Sequence, residues 1–158
     1  MGLDRDFSRA FAKSQLGAGT TLPLSGAVFI SVKDRDKPAL VTIARRLADM
    51  GFRLLATTGT AEAFARAGLE VKLLNKVLEG KPDVVDAMMN GEVQLVINTT
   101  EGAQAVSDSF SLRRAALVNN ISYYTTVAGA RAAVSAISAL RNGSLEVAPL
   151  QSYLTGSY

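Results

Sequence analysis

The sequence predicts an α/β fold, a parallel β-sheet covered by helices on both faces. Three observations lead there. From residue 26 onward, short β-branched and apolar runs alternate with helix-like segments. Those runs lack strict in–out alternation, as strands buried on both faces do. The segments between them carry helix punctuation, with Pro38 in a first turn and Gly51 and Gly68 as closers.

The elements follow in order. Residues 4–16 read as a short helix, with Phe7, Ala10 and Phe11 on one face. It is too short to stand alone, so it packs on this domain or on something beyond it. "GAGTTLPLSG", 17–26, is a linker by composition. "AVFISV" (27–32) is the first strand. The next helix has Asp36 as a candidate cap, Leu40, Ile43, Ala44 and Leu47 inward, and ends at Gly51. "FRLLAT" (52–57) is the second strand and 60–68 a helix. "EVKLL" (70–74) is a short strand. Residues 81–91 form a helix with Val84, Val85, Met88 and Met89 inward, followed by the strand "VQLVIN" (93–98). A helix at 107–119, a short strand at 121–125 and an alanine-rich helix at 127–143 complete the pattern. The tail, 144–158, has no clear period.

Composition removes several classes of function. The chain has 158 residues, a length suited to one domain with a real core. It contains neither Cys nor His. Disulfides, thiolate metal sites and Ser-His-Asp catalysis are therefore excluded. No carboxylate cluster has metal-site spacing, and Asp83 and Asp86 are explained by the dipole of the helix they begin. The net charge is +3, with Lys and Arg dispersed among acids, which argues against a nucleic-acid patch. No apolar run approaches the roughly 18 residues of a membrane span. "MGLDRDFSRAF" has early acids and no apolar centre, unlike a signal peptide. A cytoplasmic location is the default expectation.

Two strand ends stand out. "FRLLATTGTAEAF" ends an apolar run in Thr57-Thr58-Gly59-Thr60, and "LVINTTEG" ends another in Asn98-Thr99-Thr100. Open parallel sheets bind ligands at the carboxyl ends of their strands. Hydroxyls, backbone N–H groups at a helix start and a glycine permitting close approach suit a phosphate or carboxylate. Thr also favours strands and caps, so a structural role is the alternative. Lys37 and Lys76 each follow a strand and could reach the same end of the sheet, though either taken alone is more often a surface lysine. Gly17-Ala18-Gly19 is linker, and Arg113-Arg114 is surface charge or a partner contact.

In this order, "SVKDRDK", "ATTGTA", "LLNKVLEGKPDVVDAMMNGEVQLVINTTEG", "RRAAL" and "YYTT" resemble the C-terminal regulatory domain of carbamoyl phosphate synthetase large subunits. That family has the methylglyoxal-synthase-like fold, and the likeness covers about residues 26–150. The resemblance implies a three-layer sandwich with a five-stranded parallel sheet of flavodoxin-like order. It implies residues 1–25 as the end of a preceding ATP-grasp unit plus linker, 26–150 as the regulatory domain and 151–158 as a C-terminal tail. It implies an effector pocket for a nucleotide monophosphate, uridylate or inosinate. By position, the phosphate would meet Lys37, Thr57, Thr58, Gly59, Thr60 and Lys76, with Asn98, Thr99 and Thr100 against phosphate and ribose. Asp108 and Ser109 would lie on the ribose or base side. Tyr123 and Thr125 match an ornithine half-site.

The resemblance further implies that the remainder of the large subunit and a small glutaminase subunit are partners. Homo-oligomer contacts are implied as well. ATP, Mg and K ions would belong only to the catalytic body, with no cofactor or metal in this domain. Three positions depart from the better-known pattern: Thr58 stands where histidine is common, Ala103 where an arginine can occur, and Tyr124 replaces an acid. Methylglyoxal synthases share the Thr-Gly-Thr turn but use a Gly-Gly-Asp stretch and a histidine. Here the corresponding stretch is "EGKPD" and histidine is absent, so lyase chemistry on dihydroxyacetone phosphate is the weaker reading. The inosinate cyclohydrolase domain, with its similar start, is disfavoured by the "NKVLEGKP" and "INTT" strings.

Overall fold

The structure, a computed structural model, describes residues 2–76, 80–101, 103–143, 145–146 and 148–155, with residues 103–105 and 155 as backbone alone. Five strands form one parallel sheet: β1 (Ala27–Ser31), β2 (Arg53–Ala56), β3 (Lys72–Leu73), β4 (Leu95–Asn98) and β5 (Ser122–Tyr124). Seven helices join or flank them: α1 (Phe7–Gly17), α2 (Lys37–Asp49), α3 (Thr58–Arg66), α4 (Val84–Met89), α5 (Ala103–Val118), α6 (Val127–Asn142) and α7 (Leu150–Thr155). The sheet order is β3-β2-β1-β4-β5. The layers and the parallel sheet are those expected. The order corrects one detail, since flavodoxin itself has 2-1-3-4-5. Here β3 lies outside β2, and the chain crosses from β3 over to β4, making the gap between β1 and β4 the switch point.

Side-chain alternation along β1 sorts two cores. Val28 and Ile30 face a large one, with Leu40, Ile43 and Leu47 of α2, Phe64 of α3 and Ile137 of α6. Ala27 and Phe29 face a smaller one, with Val84 and Met88 of α4 and Leu112 and Ala116 of α5. Burying a side chain such as Phe64, which is fully enclosed, contributes about 1.5–3 kcal/mol. The apolar stripes of these helices are thus what hold the sheet between two layers. The first helix packs on this same body: Ala12 is buried in the larger core, and the Tyr124 hydroxyl donates to Gln15 Oε1 at 3.1 Å. No helix among the described residues is long and apolar enough to cross a membrane.

Several boundaries differ from expectation for local reasons. α1 starts at Phe7, capped by Asp6, whose carboxylate accepts from the Arg9 N–H at 3.0 Å. Asp36 precedes α2 but makes no side-chain cap. Its carboxylate lies 3.8 Å from the Lys33 ammonium instead. The pair Asp83 and Asp86 forms a reciprocal capping box at the head of α4, each carboxylate accepting the other's backbone N–H. That is a more specific role than a favourable charge at a helix dipole. β3 shrinks to two residues, in register with Leu55 and Ala56. Within the expected tail, α7 is ordered by contact: the Lys13 ammonium bonds Tyr153 Oη at 3.1 Å. Its six residues are too few to show a helical period. Val77, Leu78, Glu79 and Gly102 of the recognised strings lie outside the described residues.

Candidate functional site

The site is built from the ends of β1, β2 and β4. The β1–β2 pairing stops at Ile30↔Ala56, whereas β1–β4 continues to Ser31↔Asn98. Beyond Ile30 the backbone of β1 therefore needs other acceptors. Threonines supply them. The Val32 N–H donates to Thr60 Oγ1 at 3.2 Å, and the Lys33 N–H donates to Thr99 Oγ1 at 3.1 Å. The Thr57 hydroxyl bonds Ser31 Oγ at 3.2 Å. These hydroxyls stitch three strand ends into one rim. Each accepting threonine keeps its own proton to donate elsewhere.

The Thr-Gly-Thr turn sits inside α3 rather than ahead of it. Thr57 is extended (φ −72°, ψ 160°) and its carbonyl accepts the first helical bond, from the Ala61 N–H at 2.7 Å. The amides of Thr58, Gly59 and Thr60 precede that bond, so helix geometry gives them no partner of their own. A Cβ on Gly59 would lie 3.3 Å from Lys37 Nζ. The lysine ammonium from the head of α2 therefore rests over the head of α3. It is also bonded to the Asp34 carboxylate. The Lys37 hydrogen bond, and then its charge, hold the Asp34 carboxyl below the usual carboxylate range.

These groups border a cleft of about 620 Å³. Of the residues singled out in the sequence, Lys37, Thr57, Gly59, Thr60 and Lys76 line it. Asn98, Thr99 and Thr100 at the end of β4 line it as well, with Asp108 and Ser109 of α5. Thr57, Thr60, Asn98, Thr99 and Ser109 are buried. The Ser109 hydroxyl donates to the Val106 carbonyl at 2.6 Å, so toward a ligand it can only accept. Thr58 is exposed and does not line the cleft. Tyr123 and Thr125 lie outside the lining too. Tyr123 touches the site through Asn98, whose Nδ2 donates to Tyr123 Oη at 2.8 Å. Arg113 lies over the Tyr123 ring at 5.8 Å.

Sequence reasoning overlooked Lys33, Asp34 and Glu101, all of which border the cleft. The signal for Lys33 was present, because it follows a strand directly, as Lys76 nearly does. No group of three or more metal-capable side chains occurs among the described residues. Hydroxyls, the head of a helix and three lysines border the cleft together with Asp34, Glu101 and Asp108, a set of groups with the donors an anion needs and acids to compete for them. Phe29, Val84 and Leu112 supply an apolar floor on the α4–α5 side.

A parallel sheet ending in such a cleft defines a class, and the chain belongs to it: residues 39–125 match the MGS-like domain family. Nearly the whole chain also aligns with one part of a larger protein. It is 57% identical over 97% of its length to the carbamoyl phosphate synthase large chain of Mesorhizobium japonicum. It is 56% identical over 98% to that of Myxococcus xanthus, and 44% identical over 99% to that of Methanobrevibacter smithii. The chain spans only 13%, 14% and 15% of those relatives. Among solved structures, methylglyoxal synthase from Elizabethkingia anophelis superposes with a TM-score of 0.59 over 84% of this chain and 92% of its own. At 20% identity that likeness speaks for the fold alone.

Proposed function

We propose that this chain is the allosteric domain of a carbamoyl phosphate synthase large chain and that its cleft binds a nucleotide monophosphate, uridylate or inosinate. The observation that carries the reading is the Lys37 ammonium resting over Gly59, at the head of α3, inside a cleft that Lys76 also lines. The effector phosphate sits there, bonded by Lys37, Lys76, Thr57, Thr60 and the first amides of α3. Asn98, Thr99 and Thr100 flank phosphate and ribose. Asp108 and Ser109 accept hydroxyls on the ribose or base side. Tyr123 and Thr125 form half of an ornithine site completed by the catalytic body. Residues 1–25 belong to the end of the preceding ATP-grasp unit, 26–150 to the regulatory domain and 151–158 to its tail.

The domain itself carries out no chemistry on this reading. The catalytic body, with ATP, Mg and K ions, and a small glutaminase subunit make carbamoyl phosphate for pyrimidine and arginine synthesis in the cytoplasm. The effector acts by binding with different affinity in two arrangements of domain and body. Such coupling typically amounts to about 1–3 kcal/mol. The test is calorimetric titration of the 158-residue chain with uridylate, inosinate and inorganic phosphate. Saturable binding of a nucleotide, tighter than phosphate alone, is the expected result. Equal binding of phosphate and both nucleotides would reduce the site to a simple anion pocket.

A further inference from the structure

We propose that Asp34 is a built-in competitor of the cleft's anion, holding the Lys37 ammonium until a ligand phosphate displaces its carboxylate. The inference rests on the anion-binding reading above and deepens it. The two members of the pair are unequal. The Lys37 side chain is 22% exposed, while that of Asp34 is 94% exposed. The lysine is thus fixed against Gly59, and the acid is the solvated, replaceable partner. Asp34 lies in the three-residue 3-10 turn (Asp34–Asp36) that leads into α2, three positions before Lys37. Swinging its side chain away breaks nothing else that the structure bonds to it.

The charges around the cleft give the device a purpose. Its lining carries Lys33, Lys37 and Lys76 against Asp34, Glu101 and Asp108, and the Lys33 ammonium already faces Asp36. A phosphate that bonds Lys37 in this cleft must take it from Asp34. An exposed ion pair is a weak one, and a phosphate making several charge-assisted hydrogen bonds outcompetes it. Competition of this kind lowers the affinity of every anion at Lys37 by one common factor. Asp34 therefore sets the concentration at which the cleft fills, without choosing among ligands.

The experiment is a double-mutant cycle read by calorimetry with inorganic phosphate, uridylate and inosinate as titrants. The proteins are the unaltered chain, Asp34→Asn, Lys37→Ala and the double variant. Asp34→Asn should tighten binding of each titrant by about two- to fivefold, the range an exposed pair spans. Lys37→Ala should weaken binding, and adding Asp34→Asn to it should change nothing further. Unchanged or weaker binding by Asp34→Asn overturns the proposal. So does a gain that persists without Lys37, because it would then be a general effect of removing a negative charge. If none of the four proteins binds any titrant, the anion-binding reading itself fails, a result distinct from either of those.

Discussion

Thr60 holds β1 to α3, and removing its hydroxyl should cost a measurable part of the fold's stability. Thr60 is 2% exposed, and its Oγ1 accepts the Val32 N–H at 3.2 Å. The β1–β2 ladder has already ended at Ile30↔Ala56, so no strand neighbour can take over that amide. Thr60→Val keeps the branched shape and nearly the same helix propensity, leaving one buried N–H without its acceptor. Such a loss costs about 1–3 kcal/mol. For a chain of this size, a loss of about 2 kcal/mol lowers Tm by about 4–8 °C. Thr58→Val is the control, because Thr58 is exposed and only two residues away, and should stay within about 0.5 kcal/mol of the unaltered chain. Denaturant unfolding of both variants measures the difference. If the two are equally stable, the Thr60 hydroxyl does not hold Val32, and the account of how the rim is built is wrong.

Other outcomes follow from the same geometry. Lys76→Ala should weaken nucleotide binding by about tenfold or more, the scale of one charged hydrogen bond. Its unfolding midpoint should not move, since the side chain is exposed; unchanged affinity by calorimetry would remove Lys76 from the site. Burial pushes the Tyr124 phenol from 10.0 up to about 12. The folded state thus favours the neutral ring, so its contribution is intact below pH 10 and is lost as pH rises from there through about 12. Tyrosinate absorbance and unfolding midpoints across that range would show it, and ionisation of Tyr124 near pH 10 would contradict it. Incubation with dihydroxyacetone phosphate should yield no methylglyoxal, because the chain has no histidine and "EGKPD" replaces the family's base-bearing stretch.

How much of this was legible in the sequence depends on how local each cause is. β1 and β4 were plain, because runs such as Val28-Phe29-Ile30 and Leu95-Val96-Ile97 are buried throughout and read so. Thr57 to Thr60 and Asn98 to Thr100 stood out because hydroxyl-rich residues end apolar runs. Which hydroxyl meets which amide was not legible, since Thr60 and Val32 are partners 28 positions apart. The start of α3 at Thr58 depended on the Thr57 carbonyl, and propensity at one residue does not reveal that. Strand order was misjudged because it was carried over from the resemblance, and nothing within a strand's own residues names the strands beside it. Lys33 was passed over although it obeys the same strand-end rule as its companions.

The two tyrosines of β5 join places that the cores keep apart. Tyr123 and Tyr124 are adjacent and leave the sheet on opposite faces, as successive strand residues must. The first takes the hydrogen bond of Asn98 in the wall of the cleft, and the second reaches Gln15 on α1. Both rings hang from one short stretch of backbone, the three residues of β5. β5 thus spans the sheet's thickness, with one ring bonded at the wall of the cleft and packed on the smaller core, the other bonded to the first helix and packed on the larger one.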